Sequence, residues 1–388
     1  SDLLTLRATG DGLCKVSDSV AVQLVLEFRQ RPLLHRPADE RNVSWLAALG
    51  EAHAPMRLAA AGGYNSFWNN HASVRQADDG NGCESTAEVV CALPDVAGSN
   101  GWRRQLPAMT CRRADLAVVA GDEKCVLYAI GGRDGERRHA SVERLDLISY
   151  RLADVGWEQL APMASGRSGL VAGIMGGHLI VAGGRSDQGV LSSSEALALD
   201  GGEAFVTLPP MQERREYAAA VTCGQEMWVM GGGQVGGLKT VEKLDAERSS
   251  WVFGPEMSVA RFGAGAAWHD GRIFVAGGSS HWGRKQLTTL EALDPREGIW
   301  SIEHFRTPAG PGYQTSLWGC SVAAHAHCLF LCGGTFREAE ESQDTIFRID
   351  LRTMELGTCT LPGVDDSEAC GGKLSLQVAR WCGGACVI

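Results

Sequence analysis

The densest group of metal-ligand residue types in this 388-residue sequence is His325-Ala-His327-Cys328, with Cys332 four residues further on. Imidazole and thiolate donors so close together would suit a soft or borderline ion. Cys328 and Cys332 lie in an apolar, strand-like run, however, and no second ligand pair stands at zinc-site spacing, so no metal site is expected. Paired carboxylates are the next candidates: Glu143/Asp146, Glu242/Asp245 and Glu291/Asp294. Residues three apart on a strand point to opposite faces, so these pairs cannot share acid–base work and read as structural. The glycine doublets end apolar runs instead of opening a helix, and no Gly-x-x-x-x-Gly-Lys-Ser/Thr run exists, which removes the usual phosphate cradle. No Ser or Cys stands beside a His in a nucleophile pattern, and the 13 cysteines read mainly as core thiols. No catalytic residue and no cofactor are therefore expected.

The elements that must position any site are read from a repeat. An apolar run ending in a glycine pair recurs at Gly131-Gly132, Gly183-Gly184, Gly231-Gly232, Gly277-Gly278, Gly333-Gly334 and Gly383-Gly384, at spacings of 52, 48, 46, 56 and 50 residues. After the pairs come a polar loop and a segment such as Ser141-Val-Glu143-Arg-Leu-Asp146 or Thr240-Val-Glu242-Lys-Leu-Asp245. A Trp or Phe follows at Trp157, Phe205, Trp251 and Trp300, then a Met at Met163, Met211 and Met257. An Arg opens the next unit at Arg167, Arg214 and Arg261. A period of ~50 residues built from short apolar runs and tight turns predicts four antiparallel strands per unit. Glycine at the strand end allows a close approach of two backbones, and the Trp supplies a wedge between neighbouring units.

From about Trp102 to Gly334 this grammar resembles the kelch repeat. The resemblance implies an all-β, kelch-type β-propeller: a single domain over residues 1–388, with seven four-stranded blades favoured and six as the alternative. Residues 1–50, around Trp45, are expected to give outer strands of the closing blade, residues 57–362 six blades, and residues 363–388 the inner strands that close the ring. Closure by both termini would remove exposed sheet edges. Some propellers of this family are enzymes, but the five tyrosines (64, 128, 150, 217 and 313) fall in unrelated repeat columns, unlike a copper radical oxidase. The Glu/Asp/His spacing of the iron-dependent specifier proteins is missing as well.

In an antiparallel blade, the connection from second to third strand and the connection from a fourth strand to the next blade emerge on one side. That face collects Arg133, Arg137, Arg185, Trp282, Arg284, Phe336 and Arg337, joined by Arg167, Arg214, Arg261 and Tyr217. Arginines suit bidentate contacts with carboxylates and aromatics supply anchors, so these eleven residues are the expected partner-binding set. By resemblance, the function is that of a non-enzymatic protein-interaction module or scaffold subunit, with another protein as partner through an acidic peptide. The alternatives are a substrate receptor of a ubiquitin ligase and a carbohydrate-active enzyme or lectin. No BTB or F-box segment is expected ahead of Trp45.

Charge bounds the partners further. Lys and Arg number 36 against 46 Asp and Glu, a net charge of −10 that disfavours a nucleic-acid backbone as ligand. No apolar run approaches the ~20 residues of a membrane span, and residues 1–11 lack a signal-peptide pattern. A cytoplasmic location is expected, with a processed organelle protein as the alternative.

Overall fold

A computed structural model describes residues 57–61, 87–91, 102–121, 126–134, 137–146, 156–234, 236–281, 287, 289–306, 318–325, 327–332, 343–358, 375–380 and 384–387. The first strands are β1 (Arg57–Ala61), β2 (Ala87–Cys91) and β3 (Trp102–Leu106). Five sheets of consecutive strands follow. The first holds β4 (Ala117–Ala120), β5 (Val126–Ile130), β6 (Val142–Asp146) and β7 (Glu158–Gln159). Next come β8 (Val171–Met175) and β9 (His178–Ala182), a small hairpin of β10 (Arg185–Ser186) and β11 (Gly189–Val190), then β12 (Ser194–Ala198) and β13 (Val206–Leu208). The third holds β14 (Ala219–Cys223), β15 (Glu226–Met230), β16 (Val241–Leu244) and β17 (Trp251–Phe253). The fourth holds β18 (Phe262–His269), β19 (Arg272–Ser279), β20 (Leu290–Asp294) and β21 (Ile299–Glu303). The fifth holds β22 (Ser321–His325), β23 (Cys328–Cys332), β24 (Gln343–Asp350) and β25 (Glu355–Thr358), with β26 (Ser375–Arg380) pairing to β24. The last strand, β27 (Gly384–Val387), is antiparallel to β1, giving the order β27-β1-β2-β3.

The fold is thus an all-β propeller, but the seven-blade expectation is corrected. Among the described residues, five blades come from one continuous stretch each, and the remaining four-stranded sheet borrows β27. The physical reason is a shortage of strands: residues 57–106 contribute three described strands, so the sheet takes its first strand from far along the chain. Gly384 accordingly opens β27 opposite Ala61 and does not end a second strand as its doublet suggested. The expected outer strands within residues 1–50 lie outside the described residues.

The apolar runs are continuous because the second strand of each blade is buried on both faces. Along β9, Leu179 and Val181 pack toward the preceding blade, with Ile130 and Val142, while Ile180 and Ala182 pack toward the following one, with Met227 and Val229. The same alternation divides Met227/Val229 from Trp228/Met230 on β15, and Ile273/Val275 from Phe274/Ala276 on β19. Each core therefore belongs to two blades, and each fully buried large aliphatic or Met side chain stabilises it by about 1.5 to 3 kcal/mol. The Trp and Met columns fall where the repeat places them: Trp251 and Met109, Met163, Met211 and Met257 are buried. Trp157 Nε1 donates to Pro107 O at 2.8 Å and Trp300 Nε1 to Pro255 O at 2.9 Å, clamping each outer strand to the loop that enters its blade.

The glycine pairs are interblade joints. Gly183 has φ +62°, and a Cβ there would stand 2.5 Å from Arg215 O of the next blade. The N–H of Gly184 donates to that same carbonyl at 2.7 Å. Gly183→Ala is expected to cost about 2 to 3 kcal/mol, of which ~1 to 2 comes from the left-handed backbone, read as a lowered melting temperature. A melting curve superimposable on the parent would contradict this account of the joint.

Candidate functional site

Four buried ion pairs stand behind the loop face among the described residues. Arg113 pairs with Glu143 and Arg167 with Glu195. Arg215 Nε lies 3.0 Å from Glu242 Oε1, and Arg261 Nε 3.0 Å from Glu291 Oε1. All four arginines are at most 1% exposed. Each also donates to the carbonyl of the first glycine of its blade's pair, as Arg215 Nη1 does to Gly231 O at 2.7 Å and Arg261 Nη1 to Gly277 O at 2.8 Å. A second carbonyl follows on the third-strand side, Thr240 O at 2.9 Å and Thr289 O at 3.0 Å. The carboxylates complete the lock by accepting backbone N–H bonds from the incoming loop, for example Glu291 from Ser258 at 2.6 Å. Burial pulls the guanidinium pKa of Arg167 and Arg261 down, and the facing carboxylate opposes that pull.

This geometry corrects part of the expected partner-binding set. Arg167 and Arg261 are internal braces with no surface to offer. Arg214 is exposed, and the neighbouring Arg215 fills the brace column in its place. Arg137 is exposed on its loop, where its N–H donates to Asp134 Oδ1 at 2.8 Å. Trp282, Arg284, Phe336 and Arg337 lie outside the described residues.

Asp115 and Tyr217 stand at one end of a channel between the inner strands, and Arg133 pairs with Asp115 while Arg185 pairs with Glu216, next to Tyr217. Backbone bridges Ala114–Arg133, Ser168–Arg185 and Glu216–Gly233 join the loops that enter each blade to its second-to-third-strand loops, on the shared face. The channel, with about 780 Å³ of empty space including its open ends, is lined by Asp115–Val118, Gly169–Ala172, Tyr217–Ala220, Gly263–Ala266 and Gly319–Val322. The leading residues of these stretches form a hydrogen-bonded belt. Gly169 N donates to Asp115 O at 2.7 Å, Tyr217 N to Gly169 O at 2.8 Å, Gly263 N to Tyr217 O at 2.9 Å and Gly319 N to Gly263 O at 2.9 Å. All five have left-handed φ, from 52° at Tyr217 to 70° at Gly319. Glycine takes this conformation freely, whereas Asp115 and Tyr217 hold it at a cost of about 1 to 3 kcal/mol each.

Side chains over the belt divide by chemistry. Arg133 Nε contacts Asp115 Oδ2 at 2.7 Å, with 36% of the arginine side chain exposed and the carboxylate fully buried. Arg185 grips Glu216 through Nε at 2.7 Å and Nη2 at 2.8 Å, itself 38% exposed. Hydrogen bonding to Glu216 raises the Arg185 pKa, and the nearby Tyr217 adds to the rise. Arg138 and Asp187, 2.7 Å apart, tie two neighbouring blade loops together. On the other side, Tyr217, Phe262 and Trp318 form an aromatic group, with Phe262 and Trp318 nearly parallel at a centroid distance of 6.4 Å.

Asp115 and Trp318 were not singled out by sequence. Aligning the repeats on the bracing arginine exposes part of the signal: the second residue after it is Asp115, Gly169, Tyr217 or Gly263, a column in which two residues break a run of glycines.

His327, Cys328 and Asp350 bring their ligand atoms within 4.8 Å of one another. Arg352 Nη2 lies 2.6 Å from His327 Nε2, so a guanidinium already occupies the space before the nitrogen a cation would need. Burial pushes the Cys223 thiol up to about 11 and the Cys320 thiol up to about 12. At pH 8 fewer than about one in several hundred of either is thiolate, the reactive form. Both are expected to resist iodoacetamide at pH 8 in the folded protein and to react after unfolding, as read by peptide mass spectrometry; prompt native labelling would contradict their burial.

Comparison with known proteins meets this geometry in the same blades. The kelch motif model matches residues 214–258 and 260–303, the units of the Arg215–Glu242 and Arg261–Glu291 locks. The chain carries kelch motifs on an all-β propeller. Among kelch-repeat relatives, Beta-scruin of Limulus polyphemus is 30% identical over 220 residues, 54% of this chain and 24% of the relative. Kelch-like protein 15 of Danio rerio is 24% identical over 248 residues, 58% of this chain and 39% of the relative. Kelch-like protein 25 of Rattus norvegicus is 24% identical over 204 residues, 52% of this chain and 34% of the relative. The matches span well under half of these relatives. In these two motifs, the buried Arg–Glu locks make the bracing arginine part of the scaffold.

Proposed function

We propose that this chain is a non-enzymatic protein-interaction module, a scaffold subunit that takes a partner's acidic peptide at the channel mouth. The observation that carries the reading is the pair Arg133 and Arg185, two partly exposed guanidiniums each fixed from behind by a buried carboxylate. A fixed guanidinium loses little freedom on meeting a carboxylate, so it suits recognition better than a mobile surface arginine. On this proposal the six sheets of four or more strands form one ring in which β27, lying against both β22 and β4, closes the circuit. That closure would keep the mouth residues of separate blades at constant spacing. The test is quantitative capture of cross-linked partners from cells that produce the protein. Asp115→Asn/Arg133→Gln, which removes one pair without leaving a buried charge, is expected to lower partner yield at least tenfold. Phe253→Ser and Ile299→Ser, on exposed outer-strand residues, are expected to leave it unchanged. Loss of partners with the outer-strand variants alone would place binding on the blade edges and refute the mouth.

A further inference from the structure

We infer that the mouth reads a two-part epitope, a carboxylate held by Arg133 and Arg185 and an aromatic side chain laid against Tyr217 and Trp318. This rests on the interaction reading above and adds the chemistry and arrangement of the partner segment. The division follows from the belt, where Gly169, Gly263 and Gly319 adopt left-handed backbone freely while Asp115 and Tyr217 adopt it against their preference. Side chains kept at such positions cluster where they serve recognition. Asp115 fixes Arg133 on one side, and Tyr217 opens the aromatic side.

The glycines between them make the surface flat. A Cβ at Gly169 would meet the Tyr217 ring at 3.3 Å, and one at Gly263 would meet Trp318 Nε1 at 2.5 Å. Each ring therefore lies across the neighbouring glycine, and buried Phe262 packs against both, with ring centroids 5.1 Å from Tyr217 and 6.4 Å from Trp318. A partly exposed floor of rings accepts another ring in offset or tilted contact. Arg185 commits Nε and Nη2 to Glu216, which leaves Nη1 for an incoming carboxylate. The belt order Asp115, Gly169, Tyr217, Gly263, Gly319 puts the charged part and the aromatic part side by side around one rim.

The test is selection of a random-decapeptide phage library on the folded, purified chain. Peptides carrying both Asp or Glu and Phe, Tyr or Trp are expected to be enriched. Asp115→Asn/Arg133→Gln should reduce the acidic enrichment at least tenfold and keep the aromatic one, while Tyr217→Gly should do the reverse. Both changes suit a left-handed backbone, and melting curves check that the variants fold. Should the double variant unfold, Arg185→Lys carries the same arm, because it keeps a charge beside Glu216 and loses the planar fork. Enriched peptides lacking either feature, or equal loss of both preferences in both variants, would overturn the two-part epitope and leave the mouth as a binding site. No enrichment above an unfolded-chain control would overturn the interaction reading itself.

Discussion

Arg261→Ala is expected to destabilise the protein by about 3 to 5 kcal/mol, the range for removing one partner of a buried ion pair. The loss is large because Glu291 is completely buried and would keep its charge without the guanidinium that neutralises it. The carbonyls of Gly277 and Thr289 lose a donor in the same step. Equilibrium denaturation should show the midpoint moving down, and the double variant Arg261→Leu/Glu291→Leu should recover part of the loss because no unpaired charge remains. If Arg261→Ala melts like the parent, the lock has no structural weight.

Removing residues 384–388 is expected to have a comparable or larger effect. Four residue pairs, from Leu58–Val387 to Ala61–Gly384, tie β27 to β1. At ~1 kcal/mol net per hydrogen bond, their loss costs on the order of 4 kcal/mol before the contacts of β27 with β22 and β4 are counted. The truncation also bares the edges of β1 and of the neighbouring inner strands, which invites pairing with other copies. A lowered melting temperature together with concentration-dependent association is the expected result. A truncated chain that melts at the parent temperature and stays monodisperse would show that β27 is dispensable.

The repeat made much of the fold legible because its columns encode local needs. A glycine pair marks an interblade joint, a Trp a clamp on an incoming loop, and a strand apolar at every position a sheet buried on both faces. Burial of a charged residue was not legible. Arg167 and Arg261 open loops rich in polar neighbours, and their partners Glu195 and Glu291 stand 28 and 30 residues away, so nothing local distinguishes a brace from a surface arginine. Arg214 and Arg215 are adjacent, and only the fold decides which of them faces inward. Arg133, Arg185 and Tyr217 kept an accessible place because the loop face was derived from strand order, a topological argument that holds whatever the side chains do. The blade count failed for a non-local reason, since the pairing of Ala61 with Gly384 has no counterpart in any single repeat.

The borrowed strand also orders events in time. About 280 residues separate β3 from β27, and at a translation rate of ~5 to 20 residues per second the ribosome needs about 15 to 55 seconds to cross them. Throughout that interval β1, β2 and β3 are already made and have no first strand to join. Among the described blades, the one that holds β1 is the last that can be finished, and until β27 arrives its open edge needs a chaperone's cover.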